Sequence, residues 1–449
     1  MEWDIDTDGQ ISLRGRFIIK TGDFGEMRSW IKYGASLCVL AGLPFVATGA
    51  DAAGFALKEQ SASGLGNAFA GATAGAEDLS YMFFNPAALA EVEGVQALTV
   101  ASYIRPVSEL KSSSGFNAFA GGALTGPSTQ NDIGSGAALP AFYGAIPLTE
   151  DINFGLAINT PFGLETEYSP DWVGRFHGVR SELLTINVNP AIGWQITDKV
   201  SIGAGAQIQY IEADLTNATL TQVGEGHASL EGDDWGYGFN LGILVKPFDQ
   251  LQLGAAYRSQ VKSTLEGDVN IFVPGIGNLP TLGAQADVTL PDSFSLGFVY
   301  DINSNWSVMG EAQLTMWHKF NEIRIQFDNG MPDNVTTENW DDSVFVAAGA
   351  TYKMDEDWTF RFGVAFDESP VPDNFRTPRI PDANRYWVTV GASYQVSDWF
   401  TVDAGYAHIF VEDSDVNLSG AGENLLRGSL TAEYESHVDI LSVQGKISF

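Results

Sequence analysis

Arg258, Lys262 and Lys319 are the cations whose spacing could do chemistry. In LQLGAAYRSQVK, Leu251, Leu253, Ala255 and Tyr257 alternate with Gln252, Gly254, Ala256 and Arg258, so a period-two count places Arg258 and Lys262 on the polar face. The same count along WSVMGEAQLTMWHK places Lys319 on the polar side. A cation facing an enclosed apolar space could hold the carboxylate of an amphiphile. The competing reading is that such charges pair with neighbours such as Glu311 or Asp403 and line water. Hydrolysis is not expected. His177, His227, His318 and His437 fall at or near loops, and His408 shares a face with Tyr406 and Phe410. No Ser/His/Asp or metal-ligand spacing accompanies them, so the expected catalytic residues, metal ligands and cofactors are none.

The elements that must position these cations follow from composition and turns. The chain has 449 residues, of which 49 are Gly, 28 Phe, 14 Tyr and 11 Trp. Apart from Leu37 to Ala47, interrupted by Pro44, no apolar run approaches the ~20 residues of a membrane helix. Instead, segments such as VSIGAGAQIQY and the closing LSVQGKISF alternate over the ~9 to 11 residues of a tilted membrane strand. Short turn signals recur about every 50 residues: LTED at 148, TDK at 197, PFDQ at 247, NSN at 303, MDED at 354 and SD at 397. These turns join twelve strands, and one more on each side, from about Val95 and ending at Phe449, makes fourteen. The expected fold is all-β, a closed 14-stranded antiparallel transmembrane β-barrel over residues 94–449. Phe154, Trp306, Trp358, Trp399 and Phe400 near the turns suit an interfacial girdle, and Phe449 suits a C-terminal signal read by barrel assembly machinery. Lipid bilayer and lipopolysaccharide are then the expected surroundings.

Residues 27–52, MRSWIKYGASLCVLAGLPFVATGADA, read as a secretory signal: Arg28 and Lys32, an apolar centre, then Ala50-Asp51-Ala52. Residues 1–26 read as a non-native or upstream extension, with a genuine N-terminal extension as the alternative. Cys38, the one cysteine, lies in that signal and leaves no disulfide or thiol chemistry after it. The first 52 residues carry seven acidic and five basic side chains, so 56 − 7 = 49 acids against 23 − 5 = 18 bases remain, a charge of −31. Nucleic acid is excluded as a partner by that balance. The acid clusters in EGDDWG, DNGMPDNVTTENWDD, DESPVPDNF and VEDSDVN, which read as solvated loops, with divalent cations as the alternative.

Fourteen strands leave residues 53–93 unassigned. This Gly- and Ala-rich segment contains YMFFNPAALA, in which Asn85 can cap a short helix beginning at Pro86. An apolar cluster of Phe83 and Phe84 on an exported non-strand piece needs burial, and the interior of its own barrel is the nearest place.

The run GFALKEQSASGLGNAFAGATAGAEDLSYMFFNPAAL, with its Asn85-Pro86-Ala87 step and its Gly64 and Gly66, resembles the N-terminal hatch of the FadL-type long-chain fatty acid transport family of outer-membrane proteins. NTPFGLETEYSPDWVGRFHGVRSELLTINVNPAIGW, residues 159 to 194, resembles it too. The resemblance implies a monomer whose hatch of short helices plugs the lumen. It implies passive uptake of hydrophobic small molecules, caught by outer loops and released sideways near the third strand. That strand is expected from about Ile152 to Phe162. Asn159, Pro161, Phe162 and Gly163 mark the place for the opening, since proline cannot donate to a ladder, although an ordinary strand end reads the same way. Fatty acids and aromatic or aliphatic hydrocarbons both suit such a lumen. The rivals are a general porin, against which a plug argues, an outer-membrane enzyme, and an adhesive barrel.

Overall fold

The structure, a computed structural model, describes residues 54–222 and 224–449. The expected signal segment 27–52 and extension 1–26 lie outside the described residues. Fourteen antiparallel strands form one closed sheet. They are β1 Gln96–Asn117, β2 Ala137–Pro147, β3 Ile152–Asn159 resumed at Gly163–Glu167, β4 Arg180–Thr197, β5 Val200–Thr221, β6 Gly224–Phe248 and β7 Leu251–Arg258 resumed at Val261–Val273. Then follow β8, Leu282–Leu290 and Ser293–Asp301, β9 Trp306–Thr315 with an outer piece Glu322–Phe327, β10 Ser343–Lys353, β11 Trp358–Asp367, β12 Arg385–Ser397, β13 Phe400–Val411 and β14 Ser429–Ser448. Pairing of β14 with both β13 and β1 closes the cylinder, from Gln96↔Ser448 upward.

Each of the six short turns read from sequence joins the two strands expected of it. Alternation explains the wall. Phe294, Leu296, Phe298 and Tyr300 of β8 are exposed on the outside, where only hydrocarbon can cover them, and Trp306, Trp358 and Trp399 stand exposed beside the turns. The strands pair all round the cylinder except at two places, in β3 and between β8 and β9, where the ladder is interrupted.

Residues 54–93 fill the turn-side half of the lumen with short helices. Helix α1, Ala62–Gly66, is capped by Ser61, and single 3₁₀ turns span Leu79–Phe83 and Pro86–Glu91. Asn85 caps the second of these turns through Ala87, with Pro86 in the first position as expected.

Strict alternation fails between Arg258 and Val261, and this corrects the reading of Lys262. Ser259 and Gln260 interrupt β7, and Pro291 and Asp292 interrupt β8 opposite them. Against β6, Arg258 pairs with Asn240 but Lys262 with Tyr237, so β7 carries one extra residue there. The phase flips. Arg258 faces the lumen, but above the break Val261, Ser263 and Leu265 are buried and Lys262 is on the exposed outer face. Lys319 is corrected too. β9 leaves its ladder after Thr315, Trp317–Lys319 forms a single 3₁₀ turn, and Lys319 pairs with Asp292, which also accepts from the Tyr257 hydroxyl at 3.0 Å. A period-two count does not continue through such a turn.

Candidate functional site

The hatch is seated on glycines. Gly193, Gly203 and Gly242 lie side by side on β4, β5 and β6, and Gly349 and Gly363, then Gly391 and Gly405, pair across β10 to β13. All of these face inward against the hatch. A Cβ at Gly242 would lie 1.8 Å from Asn85 Oδ1, at Gly203 2.2 Å from the Pro86 carbonyl carbon, at Gly363 2.1 Å from that of Asn67, and at Gly405 2.6 Å from Ala62 O. Glycine is therefore required here by close approach of two backbones, since any side chain would enter the hatch.

Charges clamp the same body. Arg361 of β11 is buried and donates to Glu77 at 2.6 and 3.1 Å, to Ser393, and lies 3.7 Å from Asp403. Gln444 of β14 bridges Asp403 and Asp78 at 2.9 and 2.8 Å and accepts from Ala62 N at 2.8 Å. Asn85 Nδ2 donates to Thr73 O at 2.7 Å and to Ile243 O at 3.2 Å. Among the described residues the turn-side mouth is filled by packed backbone and these hydrogen-bonded polar groups.

Above this seat lie two cavities. The inner one is lined by Phe69, Phe83, Phe84, Phe162 and Phe345 together with Arg258, Lys58, Glu311 and Asp367. The outer one exposes an almost wholly apolar surface, from Leu164, Leu183, Leu230, Leu265 and Ile380 among others, with Arg379 and Glu182 also in its lining. Aromatic rings stand between them. Phe55 at the hatch tip packs on Trp317, Phe320, Trp340 and Phe162 at centroid distances of 4.8, 5.5, 5.6 and 6.0 Å. Phe55 and Phe320 face the outer cavity, Phe162 and Trp317 the inner.

Arg258 lies where its inward phase requires. Its guanidinium donates to Gln207 Oε1 at 2.6 Å and Phe83 O at 2.7 Å, and sits 4.4 Å from the Phe83 ring centroid. No carboxylate of the described residues comes within 4.0 Å of it, so neither Glu311 nor Asp403 neutralises it by contact. Glu311 instead accepts from Thr73 in the hatch. Lys58 was missed by strand counting because it lies in the hatch. The signal was there: it is the sole basic residue between 53 and 93. Its ammonium bonds Gln313 and lies 4.2 Å from the Phe345 ring centroid, and burial lowers its pKa against the pull of Asp367 and Glu311. Arg379, in the loop before β12, was missed as well. It donates to Arg180 O and Ser181 Oγ at 3.0 and 2.8 Å, and burial beside Arg427 brings it down to about 10.

Strand β3 breaks at Thr160–Phe162. Both of its halves pair with β4, but its ladder with β2 ends at Phe142↔Ile158, while β2 goes on pairing with β1 as far as Ala137. Between Ile158 and Thr166 the β2 edge therefore has no ladder partner in β3, and the two segments meet again at Gly134↔Thr166, where Glu167 N donates to Ile133 O at 2.9 Å. The hatch tip occupies the β3 backbone there instead. Leu57 N donates to Pro161 O at 2.8 Å, Gly163 N to Phe55 O at 3.0 Å, and Gln60 Nε2 to Thr160 O at 2.6 Å. Thus Asn159, Pro161, Phe162 and Gly163 come together with the tip, as do Gly64, Gly66, Asn85, Pro86 and Ala87 with the seat. Phe83 and Phe84 come together with the inner cavity. Lys262 and Lys319 join neither group.

Residues 43–449 match the sequence model of the outer membrane protein transport protein family (OMPP1/FadL/TodX). A long-chain fatty acid transport protein of Escherichia coli O6:H1 is 29% identical over 402 residues, covering 81% of this chain and 88% of that protein. A 47 kDa outer membrane protein of Pasteurella multocida is 30% identical over 394 residues, covering 82% and 89%. The crystal structure of a Pseudomonas aeruginosa FadL homologue superposes with a TM-score of 0.81 at 25% identity, over 88% of this chain and all 100% of that one. With its barrel superposing and a family model matching residues 43–449, the chain belongs to the OMPP1/FadL/TodX family of bacterial outer-membrane transport proteins.

Proposed function

We propose that this protein takes up long-chain fatty acids or closely related anionic amphiphiles by passive diffusion. The substrate passes from the outer to the inner cavity and leaves through the wall beside β3. The observation that carries the reading is Arg258, a cation with no carboxylate of the described residues in contact, in one cavity with five phenylalanines and with Lys58, Glu311 and Asp367, next to the interrupted edge of β2. An acyl chain gains about 0.8 kcal/mol per buried CH₂, so a 16-carbon chain has on the order of 10 kcal/mol favouring such a cavity, and capture requires no energy source. Release into lipid avoids returning that chain to water. A tip that withdraws from Pro161 and Gly163 supplies the switch, because a ligand that favours the withdrawn state shifts the population toward it. The E. coli relative is named for long-chain fatty acid transport, which supports the same substrate class.

The outer cavity favours a second reading, uptake of hydrocarbons, because its exposed surface is almost wholly apolar. One comparison separates the two. Arg258→Ala, measured with Lys58→Met, is expected to weaken binding of a long-chain fatty acid at least tenfold while leaving a hydrocarbon of equal length within twofold, since a charged hydrogen bond contributes ~1.5–3 kcal/mol. Unchanged fatty acid binding and uptake in Arg258→Ala removes the headgroup role. A large unselective conductance from the wild-type protein in planar bilayers removes the uptake reading in favour of a porin.

A further inference from the structure

The wall has a second break, between β8 and β9. Their ladder runs from Asp301↔Ser307 to Ser293↔Thr315, gains one more bond from Met316 N to Asp292 O, and resumes only at Ala286↔Ile325. Between these points residues 287–291 of β8 face residues 317–324 of β9 with no backbone hydrogen bond between them among the described residues. Eight residues stand opposite five, and the surplus forms the Trp317–Lys319 turn.

Both edges of this break line the outer cavity: Ala286 and Val288 from β8, Phe320 and Ile323 from β9. Its outer side is closed by side chains and by the loop before β10, whose Glu338, Asn339 and Trp340 amides donate to the carbonyls of Asn321 and Phe320. Lys319 bonds Asp292, His318 Nδ1 lies 2.6 Å from Asp342, and Trp317 and Phe320 fill the space behind. The height is informative. Nine residues, Ser293–Asp301, separate the break from the turn end, and at about 3.3 Å per residue with a tilt of about 40° they rise roughly 23 Å, close to the ~25 Å apolar band of such barrels. The break therefore lies at the headgroup level of the outer leaflet. Lys262, exposed on β7 and paired in register with Thr289 at the edge of the break, stands beside it together with the exposed Tyr237.

We propose that this break is a side entrance through which a single-chain anionic amphiphile resting in the outer leaflet reaches the outer cavity. The Trp317–Lys319 turn is its shutter, latched by Lys319 on Asp292, and Lys262 meets the headgroup. An amphiphile at that height has its carboxylate level with the Lys262 ammonium and its tail facing a cavity that needs no crossing of water. Opening requires breaking the Lys319–Asp292 and His318–Asp342 contacts and swinging one turn of backbone away from the Glu338–Trp340 loop, with the closed ladder intact above and below.

The entrance rests on the uptake reading, and its test separates the two. The full-length protein is placed in vesicles, and a pyrene-labelled fatty acid is supplied either from the bilayer or from albumin in water, with loading read by fluorescence. Lys319→Asp sets two carboxylates against each other and is expected to raise the ratio of bilayer to aqueous loading three- to fivefold. The swap Asp292→Lys with Lys319→Asp restores the pair and is expected to return the ratio to the wild-type value, which also shows that the wall has folded. An unchanged ratio in Lys319→Asp, or an equal change by both routes, overturns the entrance while uptake stands. No loading of the wild type from either donor overturns both. If the substitutions alter only retention of lipopolysaccharide in vesicles that contain it, the lysines are a lipid-phosphate contact and the entrance falls.

Discussion

Replacing Gly242 by alanine tests whether the hatch is held by its glycine seat. The added carbon would lie 1.8 Å from Asn85 Oδ1 and 2.8 Å from its Cγ. An ordinary carbon–oxygen approach is roughly 3.3 Å, so Asn85 must retreat by about 1.5 Å. It then loses its cap on Ala87 N, now 2.9 Å, and its bonds to Thr73 O and Ile243 O. A lost N-cap costs about 1 kcal/mol, each buried hydrogen bond about 1, and overpacking about 1–3, which together give about 4–6 kcal/mol against the seated state. At 1.4 kcal/mol per decade this raises the opening constant of the seat by about three to four decades. Native-state hydrogen exchange resolved by mass spectrometry reads this directly over residues 79–91, with β10 to β13 as internal reference. Gly144→Ala is the control, because nothing lies within 4 Å of its added carbon. Exchange in Gly242→Ala within threefold of wild type over residues 79–91, with no rise in ion conductance across planar bilayers, would refute the argument that close backbone approach holds and seals the hatch.

Arg361→Met leaves Asp403 buried without its cation and frees Glu77, so exchange over residues 77–83 is expected to rise by an amount equivalent to about 3–5 kcal/mol, and an unaltered rate there counts against the clamp. The hatch tip should loosen with rising pH. Burial holds the Glu59 carboxyl up to about 7 from an ordinary 4.5, so between those values the folded state binds the extra proton. The resulting stabilisation is complete below about 4.5, declines as pH rises, and is gone above about 7, a change of at most roughly 3 kcal/mol. Exchange of the Leu57 amide, corrected for intrinsic rate, should therefore be faster at pH 8 than at pH 5, and Glu59→Gln should flatten the difference.

Much of the barrel was legible because its rules are local. Turn residues punctuate the chain at TDK or MDED whatever the tertiary context, and alternation within one strand is set by which face meets lipid. Asn85-Pro86 was legible for the same reason, since a cap and a fixed φ act within three residues. The cations were less so. Arg258 follows directly from Tyr257 within an unbroken strand, but Lys262 lies beyond an extra residue, and one unpaired residue reverses every side chain after it. Pro291, opposite that point on β8, was the available warning, of the kind already used for Pro161. Lys58 and Arg379 enter the cavities from the hatch and from a loop, where no period exists to count. The glycine seat was visible only as composition, because its meaning depends on neighbours that are distant in sequence, as Gly242 is from Asn85.

The two parts of the hatch differ in what holds them, and that difference limits what can move. From Ala62 to Leu89 the backbone touches inward glycines on β4 to β6 and β10 to β13, and the Arg361, Asp403 and Gln444 group fixes its middle. From Gly54 to Gln60 the contacts are of another kind: backbone bonds to the broken part of β3, one bond from Gly54 N to Asp382, and the ring of Phe55 among four aromatic neighbours. Withdrawing the whole hatch would expose the glycine seat and strand a buried arginine. Withdrawing the tip alone breaks a handful of hydrogen bonds, some of which water in the cavity can replace. It also does two things at once, because Phe55 divides the cavities while its carbonyl holds Gly163. On the proposed route, a tip that lets substrate pass from the outer to the inner cavity releases β3 in the same motion, which would make entry to the inner cavity and opening of the wall one event.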